Sequence, residues 1–448
     1  MAKGKKKESL TPEERLQAAL VPESEQPYKV PGNWCWTYLT KGAAECLDSF
    51  RKPINASERA NREGDIPYYG ATGQVGWIDD FLTNEQLVLV GEDGAPFLDL
   101  IKDKAYIIEG KAWVNNHAHI LRSRFGTVGN LFLMHYLNVF NYNDFVNGTT
   151  RLKLTQGSMD TMPVPIPPVP EQQRIVDRIE SLFAKLDEAK QKAQDALDSF
   201  ETRRAAILHK AFTGELTAQW RKEHGVGMES WDFPRFEDCI LKMQNGLAKR
   251  SGSSGTSFVV LRLANLSDNG FVTDDLREIL LDEKEQKNYS LKDNDVLMIR
   301  VNGSKDNVGK QFLFHGKLKW AFCDHIIRIT YKTNLSPEYM VYFSKTNTYR
   351  RYIEDNMVSS AGQNTISRKG MASLLTPIPL MDEQTEIVRI LDDLLAKEQQ
   401  AKEAAERVLE QIELIKKAIL ARAFRGELGT NDPSEESAAE LVKRAFSN

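Results

Sequence analysis

The chain has 448 residues, a length that suits two to four domains. It carries 59 Lys and Arg against 63 Asp and Glu, a net charge of −4, with 41% hydrophobic and 27% charged residues. That composition is globular, no apolar run approaches the ~18 residues of a membrane-spanning helix, and a chain that binds DNA unaided is usually basic, so a role on DNA needs partner subunits to supply much of the phosphate contact.

Residues 1–7 are lysine-rich with no apolar stretch behind them, which excludes a secretory signal and reads as a solvated tail. Thr11-Pro12-Glu13-Glu14 then has the pattern of a capping box opening a short helix. The cysteines are Cys35, Cys46, Cys239 and Cys323. None is spaced as a CxxC pair, so they read as reduced thiols of a cytoplasmic protein and not as a disulfide frame or zinc site.

A first loop-rich stretch opens on Trp34-Cys35-Trp36. It contains the turn-rich Pro67-Tyr68-Tyr69-Gly70-Ala71-Thr72-Gly73, a strand at Gln86-Leu87-Val88-Leu89-Val90, and Lys111-Ala112-Trp113-Val114-Asn115-Asn116-His117-Ala118-His119 followed by Arg122 and Arg124. His117 and His119 have no third ligand nearby and read as structural histidines. After Pro165-Ile166-Pro167 a heptad seam begins: Ile175, Ile179, Leu182, Leu186, Ala189, Ala193, Ala196, Phe200 and Ile207 follow steps of three and four. Pro170 suits the first turn of this helix, and Gly214 stands where a left-handed C-terminal residue is wanted.

A second loop-rich stretch opens on Trp231-Asp232-Phe233. It holds the strand-like runs 259–266 and 295–301, with glycine turns between β-branched residues. A second seam follows: Ile387, Leu391, Leu394, Ala401, Ala405, Val408, Ile412, Ile415 and Ile419, interrupted by Glu398. Asp382 can cap it, and Gly426 ends it as Gly214 ends the first. Asp432-Pro433-Ser434-Glu435 reads as a cap before a last helix through Leu441 and Val442.

The two helical stretches are copies. Pro165-Ile166-Pro167, Glu171-Gln172, Ile175-Val176, Ala206-Ile207-Leu208 and Gly214-Glu215-Leu216 recur at a constant offset of 212, as Pro377-Ile378-Pro379, Glu383-Gln384, Ile387-Val388, Ala418-Ile419-Leu420 and Gly426-Glu427-Leu428. The prolines favour an extended lead-in to each copy. About forty residues at ~1.5 Å each make a rod of about 60 Å. Two rods with equal seams separated by one domain close most simply as an antiparallel pair. The intervening stretches are unlike each other, so the frame is duplicated and what each head reads is not.

The heads carry donors suited to base edges, because Arg matches guanine O6 and N7, and Asn or Gln matches adenine N6 and N7. In the first these are Lys111, Asn115, Asn116, Arg122 and Arg124, with Tyr68, Tyr69 and Thr72 in the aromatic loop. In the second they are Arg262, Asn265, Arg300, Asn302, Lys305, Lys310, Gln363 and Asn364. The bland alternative is that Asn and Gly in turns serve the backbone.

The paired Pro-Ile-Pro, Glu-Gln and Gly-Glu-Leu segments, with Pro67-Tyr68-Tyr69-Gly70 and Trp113-Val114-Asn115-Asn116-His117, make the chain resemble specificity subunits of type I restriction-modification systems over nearly its whole length. The resemblance implies an α+β fold: two mixed α/β target recognition domains separated by two long helices that form an antiparallel coiled coil, with pseudo-twofold symmetry. The expected divisions are 1–30 (tail and short helix), 31–163 (first recognition domain), 164–228 (first conserved helical region), 229–376 (second recognition domain) and 377–448 (second helical region and C-terminal helix). Each recognition domain would read half of a split, asymmetric site in double-stranded DNA. The helices would fix the spacer and dock two methyltransferase subunits, and two translocase-nuclease subunits would complete the restriction enzyme. S-adenosylmethionine, ATP and Mg2+ would belong to those partners and not to this chain, which has no membrane role.

Catalytic motifs are missing where a rival reading needs them. There is no Asn-Pro-Pro-Tyr or Asp-Pro-Pro-Tyr segment and no GxGxxG after a strand. The Gly303 to Gln311 loop has five residues between its glycines where a phosphate loop has four, and Gln311 replaces the metal-binding Ser or Thr. Asp99, Glu109 and Lys111 match an acidic-x-lysine nuclease trio only in spacing. The rivals are a self-contained nuclease or methyltransferase, which requires activity from this chain alone, and a protein-only coiled-coil scaffold, which leaves the two unlike heads unexplained.

Overall fold

The computed structural model describes residues 10–99, 101–267, 270–316 and 318–447; the lysine-rich tail lies outside them. The chain forms two compact units: Met1–Gln194 with Glu406–Asn448, and Asp195–Ala405. The division falls within the rods and not between heads and rods, because each head shares its core with rod residues. The fold is α+β, with two sheet-containing heads and long helices.

In the first unit, Leu87–Gly91 is the wholly buried inner strand of an antiparallel sheet. It is flanked by Ala105–Ile108 and Ala118–Ser123, with Ala44–Cys46 beyond. Burial on both faces explains its unbroken apolar run. Helix Gly126–Leu137 covers the sheet, and Leu133 and Leu137 join one core with Val88, Val90 and Leu121. Ile175 and Ile179 of the first rod and Leu420 and Phe424 of the second belong to that same core. A smaller sheet orders Gly73–Ile78, Ile66–Gly70, Lys111–Val114 and Thr83–Asn84. The proline-rich lead-in is a strand: Pro163–Ile166 pairs with Cys35–Tyr38 and closes the head on itself.

In the second unit, Ile240–Asn245, Ile326–Tyr331, Asp295–Ile299 and Gln311–Phe314 form an antiparallel sheet in that order. A three-stranded sheet contains Thr256–Leu261 between Glu278–Leu281 and Trp320–Phe322. Helix Pro337–Phe343 packs with Leu208, Ala211, Ile387 and Leu391 of the rods. Asp232 and Arg235 bridge Ile378 and Leu375, repeating the closure of the first head.

The first rod is Val169–Asp198 followed by Phe200–Phe212, with Ser199 breaking the helix as its hydroxyl bonds the Asp195 and Ala196 carbonyls. The second rod, Met381–Ala423, is continuous over 43 residues. Their pairing is antiparallel in each unit. In the first, Lys416 meets Asp187 at 2.5 Å and Lys190 meets Glu413 at 2.7 Å. In the second, Arg203 meets Glu398 at 2.9 Å and Lys402 lies 4.9 Å over the Phe200 ring.

Among the seam residues, Ile175, Ile179, Phe200, Ile387, Leu391 and Ile412 are buried, and Leu182, Leu186, Ile207, Leu394 and Ile419 are half-buried. Val408 is a correction: it is 39% exposed, as Ile415 is 43% exposed, while Leu409 is half-buried instead. Ala189 and Ala196 also face solvent. The reason is Glu398. It lies in the seam, held by Arg203, and the next inward residue is Lys402 and not the exposed Ala401, so the steps run 398, 402, 405, 409, 412, 416, 419.

Both glycine caps are left-handed, Gly214 at φ 80° and Gly426 at φ 73°. Thr11 and Glu14 form the expected capping box on Pro12–Ala19. Two caps differ from expectation. Asp382 lies inside the first turn of Met381–Ala423. The last helix, Ala438–Ala445, is capped by Ser437, while Asp432 holds a separate turn through Ser434. This helix packs on the N-terminal one, with an ion pair from Lys443 to Glu13.

The repeat extends to hydrogen bonds. Buried Gln172 and Gln384 donate to the Pro167 and Pro379 carbonyls at 3.0 and 2.9 Å. Buried Glu383 accepts from Thr217 (2.7 Å), Arg221 (2.6 Å) and the Trp231 indole (3.0 Å). Buried Glu171 accepts from Thr430 and Arg174, both at 2.8 Å. In each unit the segment after one rod is thus fastened to the start of the other.

Candidate nucleic-acid interface

Each head carries a β-hairpin at the edge of a sheet. In the first unit Ile66–Gly70 and Gly73–Ile78 pair, and the turn between Gly70 and Gly73 carries exposed Thr72. Gln74, Val75 and Trp77 are exposed on the returning strand, Trp77 to 55%. In the second unit Val358–Ser360 pairs with Gln363–Thr365, which pairs in turn with Val301–Asn302. Ala361 and Gly362 have φ of 47° and 77°, the two positive values of a tight type I′ hairpin. Residues 358–363 are all exposed. A Gly-Gln pair stands near the start of each returning strand: Gly73 and Gln74 both lie in the first, while Gly362 ends the turn and Gln363 opens the second. A two-stranded ribbon is one of the shapes the major groove admits.

The second ribbon gathers residues about sixty positions apart. Asn302 pairs with Asn364, and Ile366 donates its N–H to the Arg300 carbonyl at 3.0 Å. Asn302 is half-exposed, its side chain accepting from Ser304 N at 2.9 Å, while Lys305 and Gln363 are exposed. Arg300 is half-exposed, and among the described residues it and Lys305 make no ion pair. Arg368 and Lys369, at the start of helix Arg368–Met371, are exposed cations beside this sheet that the sequence reading omitted. Gln74, Val75 and Trp77 were omitted too; the repeated Gly-Gln is the signal that would have found both ribbons.

Several expected contacts are structural instead. Tyr68 is 2% exposed, its hydroxyl held at the Ile54 backbone (3.3 Å from N, 3.4 Å from O). Asn115 is buried and accepts from His117 N at 2.8 Å. Asn265 is buried, accepting from Arg262 N and donating to the Val272 and Asp275 carbonyls. Asn364 is buried, donating to the Gly303 carbonyl at 2.9 Å and accepting from the Ser359 hydroxyl. In each case the side chain satisfies turn backbone that would otherwise lack partners.

Three arginines are also corrected. Arg122 forks onto Glu85 and reaches Glu45, which hold it in its charged form, raise its pKa and offset its positive charge. Arg124 is half-buried against the Phe446 ring at 5.5 Å, and burial lowers its pKa. Arg262 bonds the Asp275 carboxylate (2.6 Å) and carbonyl (2.7 Å). Tyr69 is half-buried beside Tyr106, and burial raises its pKa. Lys111 is exposed on its strand with its amine 4.8 Å over Phe81, and Asn116 is exposed in the following turn. Lys310 is half-buried, lining a cavity beside Gln311 and Arg350.

Asp48, Glu92 and His119 cluster closely enough to suggest a metal site, but protein cations already occupy it. Arg51 bonds both carboxylates, Lys153 meets Glu92 at 2.9 Å, and buried His119 lies between Asp48 (2.6 Å) and the Leu154 carbonyl (2.9 Å). Burial works to raise the Asp48 carboxyl, but the His119 bond and charge, the Ile120 N–H and Arg51 outweigh it and leave it below the usual range. Burial pushes the Cys35 thiol up to about 12 and Cys46 up to about 11, so neither is a reactive thiolate.

The Gly303 to Gln311 loop contains a short turn and leads into a strand whose Gln311 is buried against Tyr331 and Tyr349. Asp99 caps its own turn, Glu109 bonds Gln86, and no bond joins either to Lys111 among the described residues.

Residues 45–197 and 264–411 match the family described as type I restriction modification DNA specificity domain. The chain belongs to that family. It is 34% identical to the type I restriction enzyme StySPI specificity subunit of Salmonella potsdam over 60% of this chain, and 28% identical to the EcoKI specificity subunit of Escherichia coli over 70%. The matched regions span 58% of the first relative and 70% of the second. Its fold is that of the HsdS subunit from Thermoanaerobacter tengcongensis, with a TM-score of 0.58 at 18% identity, over 90% of this chain and all of that one.

Proposed function

We propose that this chain is the non-catalytic, sequence-reading subunit of a type I restriction-modification complex of the cytoplasm. Each head reads one half of a split, asymmetric site in double-stranded DNA. The observation that carries this is a hairpin in each head with an exposed glutamine near the start of its returning strand, Gln74 after the strand residue Gly73 and Gln363 after the turn residue Gly362, on heads that otherwise differ. Gln363 carries the amide that matches adenine N6 and N7, as does Gln74 once its amide leaves the Gly76 carbonyl to which it donates at 3.2 Å. Arg300, Lys305, Arg368 and Lys369 supply phosphate or guanine contacts beside the second ribbon.

The paired rods set the spacer between half-sites, about one helical turn or ~34 Å for two readers on one face of the duplex. They also dock two methyltransferase subunits, and two translocase-nuclease subunits complete the assembly. S-adenosylmethionine, ATP and Mg2+ act in those partners. Replacing residues 229–376 with the corresponding head of a relative tests the reading. One half of the methylated site should change while the other half and the spacer stay; a change in both halves, or in neither, would reject it.

A further inference from the structure

The strand that opens each head has the same register in both units. Cys35 faces Ile166 and Tyr38 faces Pro163 in the first; Asp232 faces Ile378 and Arg235 faces Leu375 in the second. Phe233 is therefore the counterpart of Trp36, and Arg235 of Tyr38. The repeat offset makes Phe212 and Thr213 the counterparts of Phe424 and Arg425. Core contacts agree: Tyr136 packs on Phe424 at 5.1 Å, and Tyr339 on Phe212 at 4.9 Å.

In the first unit this ground is covered by an N-terminal segment of the chain. Leu20 bridges Thr37, and Val21 donates its N–H to the Trp36 carbonyl at 3.0 Å. The Trp36 indole donates to the Tyr28 carbonyl at 3.2 Å, and the Tyr28 ring stands edge-on to it at 4.9 Å. Arg425 lies 5.5 Å over the Tyr28 ring, and the Tyr38 hydroxyl donates to Glu25 at 2.8 Å. Trp36 is left 2% exposed.

Among the described residues the second unit has no such segment, because helix Ala218–His224 is followed within a few residues by the opening strand. Phe233 is 55% exposed and Leu375 60%. Beside them lies an open groove of about 440 Å3, walled by Phe212, Phe343, Pro377 and His209. No backbone bond uses the Phe233 N–H or carbonyl among the described residues. Exposed Arg235, at the place of Tyr38, makes no ion pair there.

We propose that this groove docks an extended, acidic, aromatic-bearing segment of a partner protein, which does in the second unit what residues 20–28 do in the first. The segment's backbone pairs with the free edge at Phe233, as Val21 does at Trp36. Its aromatic ring fills the groove against Phe233, as Tyr28 does against Trp36. A carboxylate at the Glu25 position meets Arg235, which replaces the Tyr38 hydroxyl with a full charge. The cover that one unit carries in its own chain thus defines the chemistry the other lacks. This inference goes beyond DNA reading and does not depend on it.

The probe is a fluorescein-labelled peptide with the sequence of residues 18–30, titrated onto the full chain by anisotropy. Saturable binding of one peptide per chain is expected. Phe233→Ala and Arg235→Glu, both at exposed positions, should each weaken it about tenfold, the loss typical of an aromatic or arginine anchor. Circular dichroism should show both variants folded, and a peptide with Glu25→Lys should recover affinity for Arg235→Glu. No binding, equal binding to both variants, or equal binding of a Tyr28→Ala peptide would overturn the proposal. So would dimerisation of the chain in sedimentation that Phe233→Ala abolishes, which would assign the groove to a second copy.

Discussion

Replacing Glu383 with alanine should destabilise the second unit by about 3–5 kcal/mol, the usual cost of removing one partner from a buried ion pair. Glu383 is fully buried and its carboxylate takes three donors, from Thr217, Arg221 and Trp231. Arg221 is 8% exposed at its side chain, so the substitution strands a guanidinium without a carboxylate, left with the Gly214 carbonyl, the Thr217 hydroxyl and the Trp231 ring. The repeat supplies the control. Glu171→Ala removes the equivalent carboxylate, but its Arg174 is 39% exposed and retains a two-pronged bond to Glu435. That substitution should cost only about 1–2 kcal/mol, close to the desolvation of a hydroxyl left without its acceptor. Urea titration followed by circular dichroism measures both, with each unit analysed as its own transition. Glu383→Ala should shift one transition strongly and Glu171→Ala the other weakly. Equal losses for the two variants would refute the argument that the burial of the stranded arginine sets the cost.

Gln74→Ala and Gln363→Ala should each relax base preference in one half-site by about 1–3 kcal/mol, roughly 10- to 100-fold, leaving the other half strict; methylation kinetics on single-base variants of the site measure this. Neutralising Arg368 and Lys369 together should weaken binding of all duplexes alike and reduce the salt slope by about 2, since each phosphate contact contributes about 0.9. Acid should weaken the first unit through Asp48 and Glu180. The His135 hydrogen bond is the main force lowering Glu180, and Asp48 is lowered as described above. Their folded pKa values lie below the unfolded ones, so their stabilisation is complete above ordinary carboxyl pKa values (~4) and is lost as pH falls through the depressed values. Urea midpoints between pH 6 and pH 3 should fall for the native chain and fall less for Asp48→Asn.

The frame was legible in the sequence because its signals are local and doubled. The constant offset, the seam from Ile175 and the two cap glycines each follow from neighbours within a few turns. The seam after Glu398 was misplaced by one residue because the next inward side chain is the charged Lys402, over the Phe200 ring, and not the apolar Ala401 that a regular heptad selects. The site was less legible. The second ribbon depends on Val301–Asn302 pairing with Gln363–Thr365, a register no local pattern announces. Tyr68, Asn115, Asn265 and Asn364 have the right chemistry for DNA, but turn geometry turns them inward onto backbone. Arg122 and Arg262 find carboxylates far off in sequence. Cationic residues that found none, such as Arg300 and Lys305, remain at the surface.

Mapping N6-methyladenine across a genome that expresses this chain with the proposed methyltransferase partner tests the central claim most directly. Two unlike half-sites at one constant separation are expected, with Gln363→Ala altering one of them alone. A single uninterrupted motif, or halves at variable separation, would contradict the account.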